Sequence, residues 1–137
     1  MQFAFTLRSQ LEELARALDR IEDLLLQQAA ERDLVSEIRL IAEEGLANIV
    51  RHAYQPEEEG EIEVVLALSE TEVRLELRDS GRPFNPLEHP EPDLEAPIEE
   101  RPLGGLGVHL IRSLTDAQTY TRQGKVNVLV LIKRRGV

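Results

Sequence analysis

The chain has 137 residues, 42% of them hydrophobic and 31% charged, which suits one soluble domain with one apolar core. A net charge of -10 without any basic stripe argues against binding a nucleic-acid backbone or an anionic membrane surface. Cysteine is absent, which excludes disulfides and thiolate metal sites. With no Trp and only 4% aromatic residues, the core has to be built from Leu, Ile, Val and Ala. The start, MQFAFTLRSQ, lacks a basic segment followed by a long apolar run, and no apolar stretch reaches membrane-spanning length. The expectation is a single cytoplasmic domain over residues 1–137.

Residues 2–7 alternate as a short strand does, and Ser9 is the expected cap of the helix that follows. In that helix Leu11, Leu14, Leu18, Ile21 and Leu25 recur every three or four residues, in a stripe that ends near Ala30. The plain reading of the stripe is a face packed on a sheet. The sharper one is a dimer seam, which would make a homodimer. A second helix is expected from about Asp33 to Tyr54, with Ile38, Ile41, Ala42, Leu46, Ile49 and Ala53 on its apolar side. Pro56, the acidic run after it and Gly60 end this helix. Ile62, Val64, Leu66 and Leu68 alternate with other residues, and so do Val73, Leu75 and Leu77. Joined through Ser69–Glu72, they read as an antiparallel hairpin with one buried face.

Residues 82–103 lose all periodicity, hold six of the seven prolines and carry Glu88, Glu91, Asp93, Glu95, Glu99 and Glu100. Such a stretch is a functional lid or a disordered segment. Gly104-Gly105-Leu106-Gly107 then opens a third helix, Val108 to about Thr115. Ala117–Thr121 and Val126–Lys133 form a second hairpin around Gln123-Gly124. The sum is an α+β two-layer sandwich, a mostly antiparallel sheet of roughly five strands covered on one face by three helices.

Three features carry candidate chemistry. At about 100° per residue, Glu44, Asn48 and Arg51 of the second helix fall within about 60° of one another, opposite the apolar side, whereas Glu43 points away. A carboxylate accepts a proton, and a carboxamide oxygen is a hard ligand suited to Mg²⁺. Alone, the same face reads as solvated helix surface. Asp79-Ser80-Gly81 directly follows a strand, where a carboxylate can accept from an amino group such as that of adenine and Gly81 lets backbone approach a flat ring. Alone, it is an ordinary turn. Gly104, Gly105 and Gly107 precede a helix, where exposed N–H groups attract anions. No Gly-Lys-Ser/Thr follows them, and a proline-rich loop rather than a strand precedes them, so neither a Walker loop nor a Rossmann fingerprint is present. Alone, they are a flexible hinge.

Order and spacing join the three. A Glu-x-x-x-Asn helix, an Asp-x-Gly after a strand, a long lid and a glycine-rich helix start resemble the N, G1 and G2 boxes of the GHKL ATPases, which include histidine kinases and gyrase-type ATPases. The stretch Glu43-Glu44-Gly45-Leu46-Ala47-Asn48-Ile49-Val50-Arg51-His52-Ala53-Tyr54 resembles the N box of one branch, the RsbW-type anti-sigma-factor serine kinases. Asp79 to Pro86 is similar to its G1 box, and Arg101 to Ile111 to its G2 box. The resemblance covers nearly the whole chain.

The resemblance implies the Bergerat fold, ATP and Mg²⁺ as cofactors, and a lid over about residues 82–107. It implies Glu44 as general base near the γ-phosphate, Asn48 as the Mg²⁺ ligand, and Asp79 as the reader of the adenine amino group with Gly81 beside the ring. Gly104, Gly105 and Gly107 become the lid's phosphate-side hinge, and Arg51 and His52 lie near the phosphates. His52 and His109 read equally as structural histidines. Two departures stand out. Arg82-Pro83 replaces the second glycine of many relatives. The strand threonine that often assists the aspartate is not found, since Val128 and Val130 occupy its expected strand, so that contact is lost or made by water. The chain offers no phosphoacceptor helices and no transducer domain, so the resemblance implies a separate protein substrate, a serine on a STAS-type anti-anti-sigma protein, and a sigma factor as second partner. The expected activity is that of an ATP-dependent protein serine kinase and anti-sigma factor. The alternative is a non-catalytic ATP- or ADP-binding regulatory module, which has less need of Glu44. A scaffold with chance motifs is the third reading.

Overall fold

The computed structural model of the chain describes residues 1–55, 58–88 and 111–135. In chain order it contains β1 (Gln2–Arg8), α1 (Leu11–Gln27), α2 (Arg32–His52), β2 (Glu61–Leu68), β3 (Glu72–Asp79), a 3₁₀ turn at Pro86–Glu88, β4 (Ala117–Gln123) and β5 (Val126–Arg134). Residues 111–114 are helical, at the end of the expected third helix. Most of the expected lid, with Gly104, Gly105 and Gly107, lies outside the described residues.

The five strands form one antiparallel sheet in the order β1-β2-β3-β5-β4. The register sets Leu66 opposite Leu75 and Leu75 opposite Leu131, so apolar side chains stack across the central strands on the helix side. Ile62, Val64, Leu66, Val73, Leu75, Leu77, Leu129 and Leu131 are all buried there, beneath Ile21, Leu25, Ile41, Ala42 and Leu46 of the two long helices. The result is the α+β sandwich that the pattern calls for. The opposite face of β3 carries Arg74, Glu76 and Arg78. Glu76 is buried between the two arginines, at 3.2 and 2.6 Å.

Leu14, Leu18, Ile21 and Leu25 of the α1 stripe are buried within the chain itself, which bears out the packed-face reading. A dimer seam along α1 would have to use other residues. Leu11, assigned to the stripe from spacing, is 61% exposed because it starts the helix beyond the edge of the core. The cap expected at Ser9 does not form. Gln10 is the N-cap residue and makes no side-chain capping bond, while the Ser9 hydroxyl is buried without a partner among the described residues. The α1 helix ends with the Ala30 N–H donating to the Leu25 carbonyl and with Ala29 at φ 56°, a left-handed position usually given to glycine. From α2, Arg39 reaches back to Asp19 and Glu22 of α1, at 2.9 and 2.7 Å.

The close approach of α2 to the sheet is set by Gly45. A Cβ there would lie 2.8 Å from Cδ1 of Leu77 on β3. The second half of α2 is thereby laid over the β3–β5 pair, whose ends carry the candidate site.

Candidate functional site

The α2 helix contributes Glu44, Asn48, Arg51 and His52. Spacing alone put the first three on a face opposite the apolar residues, and for Asn48 the structure corrects this. Asn48 is 1% exposed, because its position lies beside Ile41 and Gly45, at the flank of the face packed on the sheet. Among the described residues neither its amide nitrogen nor its amide oxygen has a hydrogen-bond partner. A buried carboxamide left in this state is costly, and native structures seldom keep one without a reason. Glu44 is half-buried one turn earlier, and Glu43 is exposed. Burial raises the Glu44 carboxyl above its ordinary range. Glu43 adds to the rise and Arg51 opposes it. Arg51 itself is exposed.

The end of α2 is fastened to the loop after β3. Gly81 lies so close to the helix end that a Cβ would stand 2.2 Å from the Ala53 carbonyl oxygen. The Arg82 backbone N–H donates to that oxygen at 2.9 Å, and the Arg82 Nε–H donates to the His52 carbonyl at 2.5 Å. Two terminal carbonyls of the helix are thus satisfied by one arginine, whose charge also suits a helix C-terminus. This gives a local reason for an arginine directly after Gly81. The His52 ring stacks on Phe84 at 4.8 Å. The Tyr54 hydroxyl donates to the Glu61 carbonyl at 2.9 Å and accepts from the Ser80 N–H at 2.8 Å, tying β2 and β3 to the same corner.

Asp79 ends β3 and is 5% exposed. Its partner across the sheet is Asn127 of β5, which sequence reasoning missed. Asn127 Nδ2 donates to Asp79 Oδ1 at 2.9 Å, and the Gly81 N–H donates to the same oxygen at 3.0 Å. The contact thought lost or water-made is therefore a direct one. Val128 and Val130 pair with Arg78 and Glu76, on the other side of the sheet. Around Asn127 stand Tyr120 and Arg122 of β4, also unforeseen. Both donate to Asn127 Oδ1, Arg122 at 3.1 Å, and Arg122 donates to the Gly81 carbonyl at 2.8 Å. The only available signal was the register, since Asn127 is the one polar residue among the first buried positions of a valine- and leucine-rich strand.

The structure thus brings the end of α2, at His52 and Ala53, to the Asp79-Gly81 corner, and Asn48 and Glu44 lie five and nine residues before Ala53 on the same helix. As a place for Mg²⁺ the donor set fits. That ion keeps several waters and takes one or two protein oxygens plus substrate phosphates. The unpartnered, buried Asn48 carboxamide is such an oxygen. Among the described residues no group of three or more His, Cys, Asp or Glu side chains forms a metal cage, and no helix is long and apolar enough to cross a membrane.

Residues 7–133 match the family model of the histidine kinase-like ATPase domain. The chain is similar to the serine/threonine-protein kinase BtrW of Bordetella bronchiseptica, with 31% identity over 84% of this chain and 81% of that protein. It is similar to the serine-protein kinase RsbW of Bacillus thuringiensis, with 35% identity over 61% of this chain. The matched part spans about half of that relative, 54% of its length. Among solved structures, the RsbU and RsbW domains of a Mycobacterium tuberculosis protein align over 99% of this chain and 33% of that one, with TM-score 0.70 and 16% identity. A blue-light activated histidine kinase of Erythrobacter litoralis aligns over 88% and 41%, with TM-score 0.54 and 22% identity. At such identities the structural likeness establishes the fold alone, that of the histidine-kinase ATPase domains. The family match covers nearly the whole chain and the Asn48 and Asp79 corner lies inside it, so the chain belongs to the histidine kinase-like ATPase domain family.

Proposed function

We propose that the domain binds Mg·ATP and transfers the γ-phosphoryl group to a serine hydroxyl of a STAS-type anti-anti-sigma protein. By the same reading it holds a sigma factor while that partner is phosphorylated. The observation that carries the proposal is Asn48, a fully buried carboxamide with both polar atoms unpaired, one turn after a carboxylate raised by burial. The kinase names of BtrW and RsbW support the reaction class.

In this reading Asp79 accepts from the adenine amino group, with Gly81 beside the ring. Asn48 gives its amide oxygen to Mg²⁺. The ion would supply positive charge to neutralise the phosphates. Glu44 takes the proton of the serine hydroxyl as its oxygen attacks the γ-phosphorus, and the bond to the β-phosphate oxygen breaks. The pKa raised by burial makes Glu44 a stronger proton acceptor than a solvated glutamate. Arg51 and His52 take the phosphate side, together with Gly104, Gly105 and Gly107.

Incubation with labelled ATP and a purified STAS-domain protein is the test, read as phosphoserine on the partner. Thermal stabilisation by Mg·ATP is measured in parallel. Stabilisation without phosphate on the partner would favour the regulatory ATP- or ADP-binding module. No stabilisation at all would remove both readings.

A further inference from the structure

We propose that Asn127 is a positioning residue that reserves one oxygen of Asp79 and leaves the other as the single atom that reads the base. The inference rests on the nucleotide-binding reading above and deepens it, because it assigns the choice between adenine and guanine to a network rather than to Asp79 alone.

Asn127 is 3% exposed and all of its hydrogen-bonding capacity is used. Its two amide hydrogens go to Asp79 Oδ1 at 2.9 Å and to the Arg82 carbonyl at 2.8 Å. Its oxygen accepts from Arg122 at 3.1 Å and from the Tyr120 hydroxyl. The amide cannot be turned over. A guanidinium only donates and a backbone carbonyl only accepts, so the oxygen must face Arg122 and the nitrogen must face Arg82 and Asp79. No polar atom of Asn127 is left over for a ligand.

The consequence falls on Asp79. Its Oδ1 receives two donors, Asn127 and the Gly81 N–H, which fill the lone pairs of that oxygen. Among the described residues Oδ2 has no hydrogen-bond partner. An added proton is excluded from Oδ1 by the two donors already there, so it must sit on Oδ2. Ionised Asp79 therefore presents an acceptor to the 6-amino group of adenine and repels the 6-oxo group of guanine. Protonated Asp79 presents a donor, which reverses both relations. Adenine preference is thus tied to the ionised state, and Asn127 helps hold that state. Burial raises the Asp79 carboxyl, while Asn127, the Gly81 N–H and Arg122 oppose the rise. The groups acting on Asp79 are Arg122 from β4 and Tyr54 from the end of α2. Its neighbour on β2, Ile62, is apolar.

The test is calorimetric titration with Mg·ATP, Mg·GTP and Mg·tripolyphosphate between about pH 5 and pH 8. Tripolyphosphate lacks a base and accounts for the titration of the phosphates themselves. In the wild-type protein the ATP:GTP affinity ratio is expected to fall on acidification. Asn127→Leu keeps the side-chain branching but removes the donor. It should shift that fall to higher pH and lower the ratio about tenfold at pH 7, with tripolyphosphate affinity unchanged. A leucine variant with the wild-type ratio at every pH would overturn the proposal. Should that variant fail to fold, Tyr120→Phe removes one of the two donors that hold the amide oxygen. A smaller shift in the same direction is expected from it, and no shift overturns the proposal equally. Wild-type protein that binds ATP no better than tripolyphosphate, or Asp79→Asn that leaves ATP affinity intact, would instead sink the nucleotide reading itself.

Discussion

Asn48→Leu separates the stability of the fold from the function of the site. Leucine branches at the same carbon and has the same number of side-chain heavy atoms, but its methyl groups are bulkier than the planar amide, so overpacking offsets part of any gain. Asn48 is 1% exposed and both of its amide atoms are unpaired. A buried amide in that state costs on the order of 1–3 kcal/mol. Nucleotide-free Asn48→Leu should therefore be more stable than the wild type by at most about that amount, less the cost of the added volume. For a domain of this length the gain corresponds to a Tm higher by roughly 3–10 °C. Mg·ATP reverses the comparison. At about 100 times Kd, a ligand adds about 2.7 kcal/mol to the protein that binds it and nothing to one that does not. The two effects are similar in size and opposite in sign, so the stability ranking should narrow or invert on adding Mg·ATP. Urea unfolding followed by circular dichroism, with and without Mg·ATP and with ATP in chelator, measures all the states. Two results would refute the reasoning. A leucine variant less stable than the wild type without nucleotide by more than the roughly 1–3 kcal/mol that overpacking costs would mean that the amide has a partner in the free protein. An equal gain from Mg·ATP in both proteins would mean that Asn48 is no metal ligand.

Three further outcomes follow from the same geometry. Glu44→Gln should leave Mg·ATP affinity nearly intact while slowing phosphorylation of the partner about 10²–10⁴-fold, with exposed Glu43→Gln as the unaffected control in the same assay. The wild-type rate should fall as pH drops through the raised pKa of Glu44. Because Arg51 lowers that pKa, Arg51→Ala should move the acid limb to higher pH in a rate–pH profile. Gly81→Ala would set a Cβ 2.2 Å from the Ala53 carbonyl oxygen, a backbone atom that cannot rotate away. Chemical denaturation should show a loss of about 1–3 kcal/mol or more, and ATP affinity should fall with it, whereas Ala29→Gly, at φ 56°, should gain on the order of 0.5–1 kcal/mol.

The sequence carried the fold because its signals were periodic. Alternation in Ile62–Leu68 and Val73–Leu77 needs only two faces of different polarity, and both strands appear where they were expected. The α1 stripe worked in the same way except at Leu11, since periodicity assigns a face but does not say where the core ends. Ser9 misled because capping depends on one backbone angle and one side-chain torsion, which composition does not encode. For the site, the Asp79 turn and the Glu44–Asn48 spacing were legible as motifs. The burial of Asn48 was not, because a helical wheel counts apolar neighbours and Gly45 counts for little on it. That glycine nevertheless draws α2 onto Leu77. Asn127 was hidden for a different reason. It faces Asp79 across 48 residues of sequence, and the pairing is fixed only by the β3–β5 register. A one-residue slip would have put Val128 there and turned the amide to the other face.

The two buried polar centres of the corner are built on opposite principles. Asp79 is held at one oxygen, Oδ1. Asn127, Gly81 and Arg122 constrain it directly or through one another, and the hydrogen bonds of Asn127 and Gly81 and the charge of Arg122 oppose the desolvation that raises its pKa. A carboxylate held in that way can discriminate between bases, because a wrong partner meets a group that cannot turn to accommodate it. Asn48 is held by packing alone and its polar atoms are left unmatched. A group in that state gains most from a ligand that supplies the missing partner, so its free energy favours the bound form over the empty one. Under the proposed function, rigidity at Asp79 serves the choice of nucleotide, and deficiency at Asn48 serves the coupling of metal to binding. This division predicts that disturbing the Asn127 network changes which base is preferred with little effect on the metal requirement. Disturbing Asn48 should remove the metal requirement and leave the base preference as it was.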